Sequence, residues 1–201
     1  MSTQIPDLSA QVRDAVVRYD ATRDTGALVS RLLTLAEGAD GDAGAEALVA
    51  AAAPYREIPE VAGPLYERVV ALRPDDAQAL VVLANAYWLT GRGPDVVGEL
   101  ATRAIGIDPT NRGAWHMWAL TESDPRQRTQ RWLQVTRRFP HDQLAKALLA
   151  DNAASLAGAE HDDDALQLAI ATYEGLLAET THTSQRAALE ATLKVLTGMK
   201  P

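Results

Sequence analysis

Tyr66-Glu-Arg-Val-Val-Ala-Leu-Arg-Pro74 is followed by Ala101-Thr-Arg-Ala-Ile-Gly-Ile-Asp-Pro109 and Trp132-Leu-Gln-Val-Thr-Arg-Arg-Phe-Pro140. Each phrase is a helix-compatible run closed by a proline. Each holds a small or aliphatic residue five before that proline: Val69, Ala104 and Val135. From 74 to 109 is 35 residues, and from 109 to 140 is 31. Self-similarity at this period is the mark of a stacked helical repeat, in which each unit buries its apolar face only against its neighbours.

Outward from these phrases, strand signals are nearly absent and turn residues separate segments of helical length. Eleven helices are expected, over about 7–20, 25–37, 43–55, 59–72, 77–90, 94–107, 111–122, 125–138, 142–157, 163–179 and 183–197. Asp24, Asp76, Asp124 and Asp162 or Asp163 have the chemistry of N-caps, and Pro59, Pro94 and Pro125 suit a first helical turn. Pro54 should shorten the helix before it. Pro64 should kink the helix over 59–72 or mark its true start. Gly38-Ala-Asp-Gly-Asp-Ala-Gly44 reads as a flexible link. It divides an N-terminal hairpin with its link, 1–42, from a repeat domain with a capping helix, 43–201.

Bulk properties narrow the function. Aromatics make up 5% while alanine abounds, which suits closely approaching helices. A formal net charge of −8 argues against nucleic-acid binding, which needs a basic surface. Without cysteine there is no disulfide framework, zinc–thiolate site or thiol nucleophile. Met1-Ser-Thr-Gln-Ile-Pro6 lacks a basic region followed by an apolar run, and Asn85 interrupts the most apolar window, Val81 to Leu89. A cytoplasmic chain with no membrane insertion is expected.

On the face of the helix over 77–90, Leu80, Leu83, Ala84 and Tyr87 lie at i, i+3, i+4 and i+7. With Ala104 and Pro109 after them, these residues resemble the tetratricopeptide repeat family. Trp115, Trp118 and Ala119 resemble the first helix of the next unit, with Glu122 where a tyrosine is usual. Ala62, Tyr66, Val69 and Pro74 resemble the second helix of the unit before. A fourth unit, about 142–179, keeps Leu149-Ala150 and Tyr173 but lacks the closing proline. The resemblance implies an all-α, right-handed solenoid of stacked antiparallel hairpins. Over 183–197, Leu189, Leu193 and Leu196 would cover the last repeat while Gln185, Arg186, Glu190 and Lys194 face water.

The same resemblance implies a groove lined by first helices that holds a partner segment. Register leaves Gln78, Val81, Asn85, Trp88 and Leu89 on the stripe beside the packing face, with His116 comparable on the next helix. Trp88 is the expected contact residue, since exposed aromatics are common hot spots; the plain alternative is a core residue. Trp115, Trp118 and Trp132 are expected in the core. A subset of the family clamps a carboxylate with Lys, Asn and Arg on first helices. Here the comparable places hold Ala47 and Ala51, Val81 and Asn85, then His116 and Leu120, so a clamp is disfavoured.

Residues 126–138 hold Arg126, Arg128, Arg131, Arg137 and Arg138 with no acid, whereas residues 1–100 hold fifteen acids and eight bases. That stretch is a candidate basic docking face, or else a solvated face pairing with neighbouring acids. Glu160-His-Asp-Asp-Asp164 lacks the alternation and glycine of a calcium loop, and reads as a solvated loop that caps a helix, with a metal or regulatory site as the lesser alternative. His116, His141, His161 and His182 show no metal-ligand spacing. No phosphate-binding loop or nucleophile elbow occurs. The expectation is therefore a non-enzymatic adaptor without cofactor or metal, binding another protein or peptide segment in an apolar groove. The rival is an accessory or assembly subunit that docks on a larger enzyme complex through its outer surfaces.

Overall fold

A computed structural model of the protein describes residues 7–198. Among the described residues the structure is all helical. The helices are α1 (Leu8–Thr22), α2 (Thr25–Glu37), α3 (Gly41–Ala52), α4 (Pro59–Leu72), α5 (Ala77–Leu89), α6 (Pro94–Ile107), α7 (Arg112–Leu120), α8 (Pro125–Arg138), α9 (Gln143–Glu160), α10 (Asp163–Glu179) and α11 (Thr183–Gly198). A short 3-10 turn, Ala53–Tyr55, follows α3, where Pro54 ends the α-helical ladder.

The proline phrases become one repeated local structure. The residue before each proline is driven out of the helical region, with φ of −129° at Arg73, −129° at Asp108 and −125° at Phe139. Its N–H still donates to the carbonyl four residues back, Val69, Ala104 or Val135, at 2.7, 2.9 and 2.8 Å. Three residues later Asp76, Asn111 and Asp142 close a turn back onto Arg73, Asp108 and Phe139 at 3.2, 3.1 and 3.0 Å. Their side chains then accept the N–H of Ala79, Ala114 and Ala145 at 2.9, 3.1 and 3.1 Å, starting the next helix. One short phrase thus stops a helix, turns the chain and caps its successor. Val69, Ala104 and Val135 are fully buried, as are Ala114 and Ala145.

The chain divides into two compact units, residues 1–117 and 118–201. In the first, α1 packs on α2 and α3, α2 on α3 and α4, α3 on α4, α4 on α5, and α5 on α6. Leu32, Leu48, Val61, Leu65, Tyr66, Leu80 and Val97 form its centre. In the second, α8 packs on α9, α9 on α10, and α10 on α11. There Leu156, Leu166, Ile170, Tyr173 and Leu196 are buried together, with Leu189 and Leu193 packed against them. Helix α11 is therefore the expected apolar cover. Arg186 departs from expectation: it is half-buried, and its Nη1 donates to the carbonyls of Leu177 and Thr180 at 3.0 and 3.3 Å, satisfying the end of α10.

Other differences are local. Helix α4 starts at Pro59 and runs through Pro64, which forfeits only the ladder bond to the Glu60 carbonyl. The link is shorter than expected, because Gly41–Gly44 belong to the first turn of α3. Gly44 is there for space: a Cβ would stand 2.8 Å from the Ala36 carbonyl oxygen of α2. Helix α9 runs to Glu160 and ends on His161, whose φ of 53° gives the left-handed terminator usually left to glycine.

Candidate functional site

Helix α5 begins at its Asp76 cap and buries Leu80, Leu83 and Ala84. Tyr87, the fourth residue of that face, is half-buried. Its hydroxyl donates to Glu67 Oε1 at 2.8 Å, and the Arg92 guanidinium lies 5.1 Å from its ring centre. Burial, then the bond to Glu67, raises its pKa above the ordinary tyrosine value. With this face occupied, register turns Trp88 and Leu89 outward: Trp88 is 38% exposed and Leu89 53%. Thr90, Gly91 and Gly93 then break the helix, the two glycines at φ of 71° and 94°.

The remaining stripe residues fare differently. Gln78 is exposed, and its Oε1 accepts from Asn111 Nδ2 at 3.4 Å. Val81 is half-buried, and a Cβ on Gly113 would meet its Cγ1 at 3.0 Å. The upper part of the stripe thus meets the start of α7, so Gln78 and Val81 carry packing between neighbouring first helices. Asn85 and His116 are half-buried.

A second apolar feature lies between α1 and α3. Val12 and Val16 face Ala47, Ala50, Ala51 and Pro54 across a cleft of about 390 Å³, with Ser9 and Arg13 its polar lining. Residues 9, 12, 13 and 16 form one face of α1 and residues 47, 50 and 51 one face of α3, with Pro54 added from the 3-10 turn that follows. The cleft exists because alanines stand opposite the valines and cannot fill the space. In sequence Ala47 and Ala51 register only as missing cations. The useful signal was the alanine run over 50–53 on a first helix whose neighbour carries Val12 and Val16.

The tryptophans separate. Trp132 is 1% exposed and a core residue, as expected. Trp115 and Trp118 are half-buried instead of core. Trp115 Nε1 donates to the Pro109 carbonyl at 2.9 Å, which explains why one edge must stay near polar backbone.

The arginines of α8 meet acids and carbonyls of their own unit. Arg126 binds Glu160 Oε2 at 2.6 Å and Asp162 Oδ2 at 2.7 Å. Arg128 Nε donates to Asn152 Oδ1 at 2.7 Å and its Nη1 to the Glu122 carbonyl at 3.1 Å. Arg131 pairs with Glu122 Oε2 at 2.6 Å, donates to the Trp118 carbonyl at 2.7 Å and stacks 4.6 Å from the Trp118 ring centre. Arg137 and Arg138 are exposed at the end of α8. Asp162 also caps α10 through the Ala165 N–H at 2.9 Å. That bond first, and Arg126 second, hold its carboxyl below the ordinary value. The acidic loop is thus a cap and an arginine anchor. Among the described residues no three of His, Asp and Glu gather as a metal site, and no helix is long and apolar enough to cross a membrane.

No family model matches the chain, and no curated protein matches it. Solved structures do. A crystal structure of MamA is 13% identical, covering 87% of this chain and 97% of its own, with a TM-score of 0.62. TTC0263, a thermophilic TPR protein of Thermus thermophilus, is 13% identical, covering 96% of this chain and 100% of its own, at 0.54. PilF of Pseudomonas aeruginosa is 14% identical, covering 96% and 93%, at 0.52. At such identities the likeness establishes the fold: helical hairpins of tetratricopeptide type.

Proposed function

We propose that the protein is a non-enzymatic adaptor that binds a segment of another protein on the side formed by its first helices. Stacks of this kind present extended surfaces suited to protein partners. The observation that carries the reading is Trp88. It is a large aromatic held 38% exposed on a helix whose neighbouring face buries Leu80, Leu83 and Ala84, with Leu89 beside it. Holding such surface in water is unfavourable, and a partner that covers it gains a hot-spot contact. The rival, docking through outer surfaces, calls for a contiguous apolar patch on second helices. The exposed aliphatics of α6, Val96 and Ile107, stand about 16 Å apart along its axis at 1.5 Å per residue. They support that reading less well.

The test is quantitative capture of partners by the full chain and by Trp88→Ala, followed by affinity measurement on the captured protein. Loss of a buried hot-spot aromatic costs about 2 kcal/mol, so affinity should fall about thirtyfold. A partner captured equally well by both chains would remove Trp88 from the interface and overturn the reading.

A further inference from the structure

The charged residues of α1, with Arg23 that ends it, fall into pairs with one cation left over. Arg18 binds Asp14 at 3.0 Å within the helix and Arg23 binds Asp20 at 3.5 Å at its end. Arg13 is exposed and has no such partner among the described residues. It is also the single charged residue lining the α1/α3 cleft, whose other walls are Ser9, Val12, Val16, three alanines and Pro54. In a chain of net charge −8, this apolar cleft carries a positive group.

We propose that this cleft receives an amphipathic helix of a partner protein, with aliphatic side chains entering between Val12 and Val16 and the alanines, and a Glu or Asp of that helix pairing with Arg13. The inference deepens the adaptor reading and rests on it for the partner being a protein. Volume supports an anchor of this size, since about 390 Å³ lies at the lower end of the roughly 300–1,000 Å³ typical of binding clefts. Spacing supports a helix. Both walls repeat once per helical turn, about 5.4 Å, whereas side chains on one face of a strand recur at about 6.8 Å and would lose register. Charge supports an acidic side chain over a free chain terminus. Beyond Arg13 only Ser9 offers a side-chain donor, and a terminal carboxylate needs several donors. A basic helix would gain from the whole-chain charge at long range yet meet Arg13 as a like charge in contact.

The experiment uses three labelled peptides of about fourteen residues, four helical turns. They share one leucine pattern and differ only in carrying Glu, Gln or Lys at the remaining positions. Fluorescence polarisation on the full chain should rank them Glu, then Gln, then Lys. Arg13→Gln should weaken the Glu peptide by about 1.4-fold to fivefold, the range of an exposed ion pair. Arg13→Glu should invert the ranking. Ala50→Phe fills the cleft from an exposed position, so it should abolish binding while the melting temperature is kept. Equal binding of all three peptides, or binding indifferent to both Arg13→Glu and Ala50→Phe, overturns the proposal. Concentration-dependent self-association that Ala50→Phe abolishes would assign the cleft to a second copy and also overturn it. If partner capture depends on Trp88 while the cleft variants change nothing, the cleft proposal fails and the adaptor reading stands. If the cleft behaves as described while no partner depends on Trp88, the cleft proposal stands and only Trp88 leaves the interface.

Discussion

Two tryptophans of one chain serve opposite ends. Trp132 is 1% exposed in the second unit, among residues such as the fully buried Val135, whereas Trp88 keeps 38% of its surface in water. The physics predicts different penalties for the same truncation. Trp132→Ala removes a fully packed ring and leaves a cavity, so it should cost about 3–5 kcal/mol. Trp88→Ala gives up only partial burial and should cost less, about 2 kcal/mol. Chemical denaturation of the two variants checks this directly. Equal losses would make Trp88 a packing residue, and its exposure an insufficient reason to place it in an interface. The arginines teach the same lesson in charge. Arg131 looks like docking surface in sequence, yet its guanidinium is used between Glu122 and the Trp118 ring.

At the scale of an element, the end of each proline phrase and the two residues after its proline carry three jobs in about eight residues: stop, turn and cap. The helix boundaries were legible because those jobs need particular residues, Pro for the stop and Asp or Asn for the cap. Helix-to-helix approach is less legible, because it depends on which face meets which. Gly44 shows the difference. In sequence it belongs to a glycine-rich link, whereas in the fold it lets α3 touch the Ala36 carbonyl of α2. Gly44→Ala would normally favour a helix by reducing the freedom of the unfolded chain. Here a Cβ at 2.8 Å from backbone oxygen forces the helices apart, and the expected outcome is a loss of about 1–3 kcal/mol, the range of overpacking. A stability gain on thermal melting would show that α2 and α3 approach less closely.

At the scale of the molecule, several carboxylates are held below their ordinary values by partners that exist only in the fold. Asp108 accepts from the Thr110 hydroxyl and N–H. Asp162 accepts from Ala165 N–H and Arg126. Glu179 is held by Lys146 and Gln143. A depressed carboxylate contributes stability that is present above its unfolded value, 3.8 for Asp and 4.5 for Glu, and is lost as pH falls through the lower folded value. The melting temperature should therefore hold from neutrality to about pH 5 and fall below it. Asp162→Asn combined with Glu179→Gln should lower the plateau and flatten the acid limb. An unchanged limb would assign acid lability to other groups.

Sequence alone determined the approximate helices, the caps Asp24, Asp76, Asp124 and Asp162, the repeat, and the packing face of Leu80, Leu83, Ala84 and the half-buried Tyr87, while the caps Asn111 and Asp142 went unread. These follow from local rules: what proline forbids, what aspartate caps, and where a period of 3.6 places apolar side chains. Tertiary structure alone decided what the leftover surface became. Val81 came to lie against Gly113, the arginines of α8 met acids from other segments, and the short side chains of Ala47, Ala50 and Ala51 opened a cleft against Val12 and Val16. The reason is physical: a cleft or a satisfied charge is a property of two surfaces meeting, and neither stretch of chain holds it until the other is packed beside it.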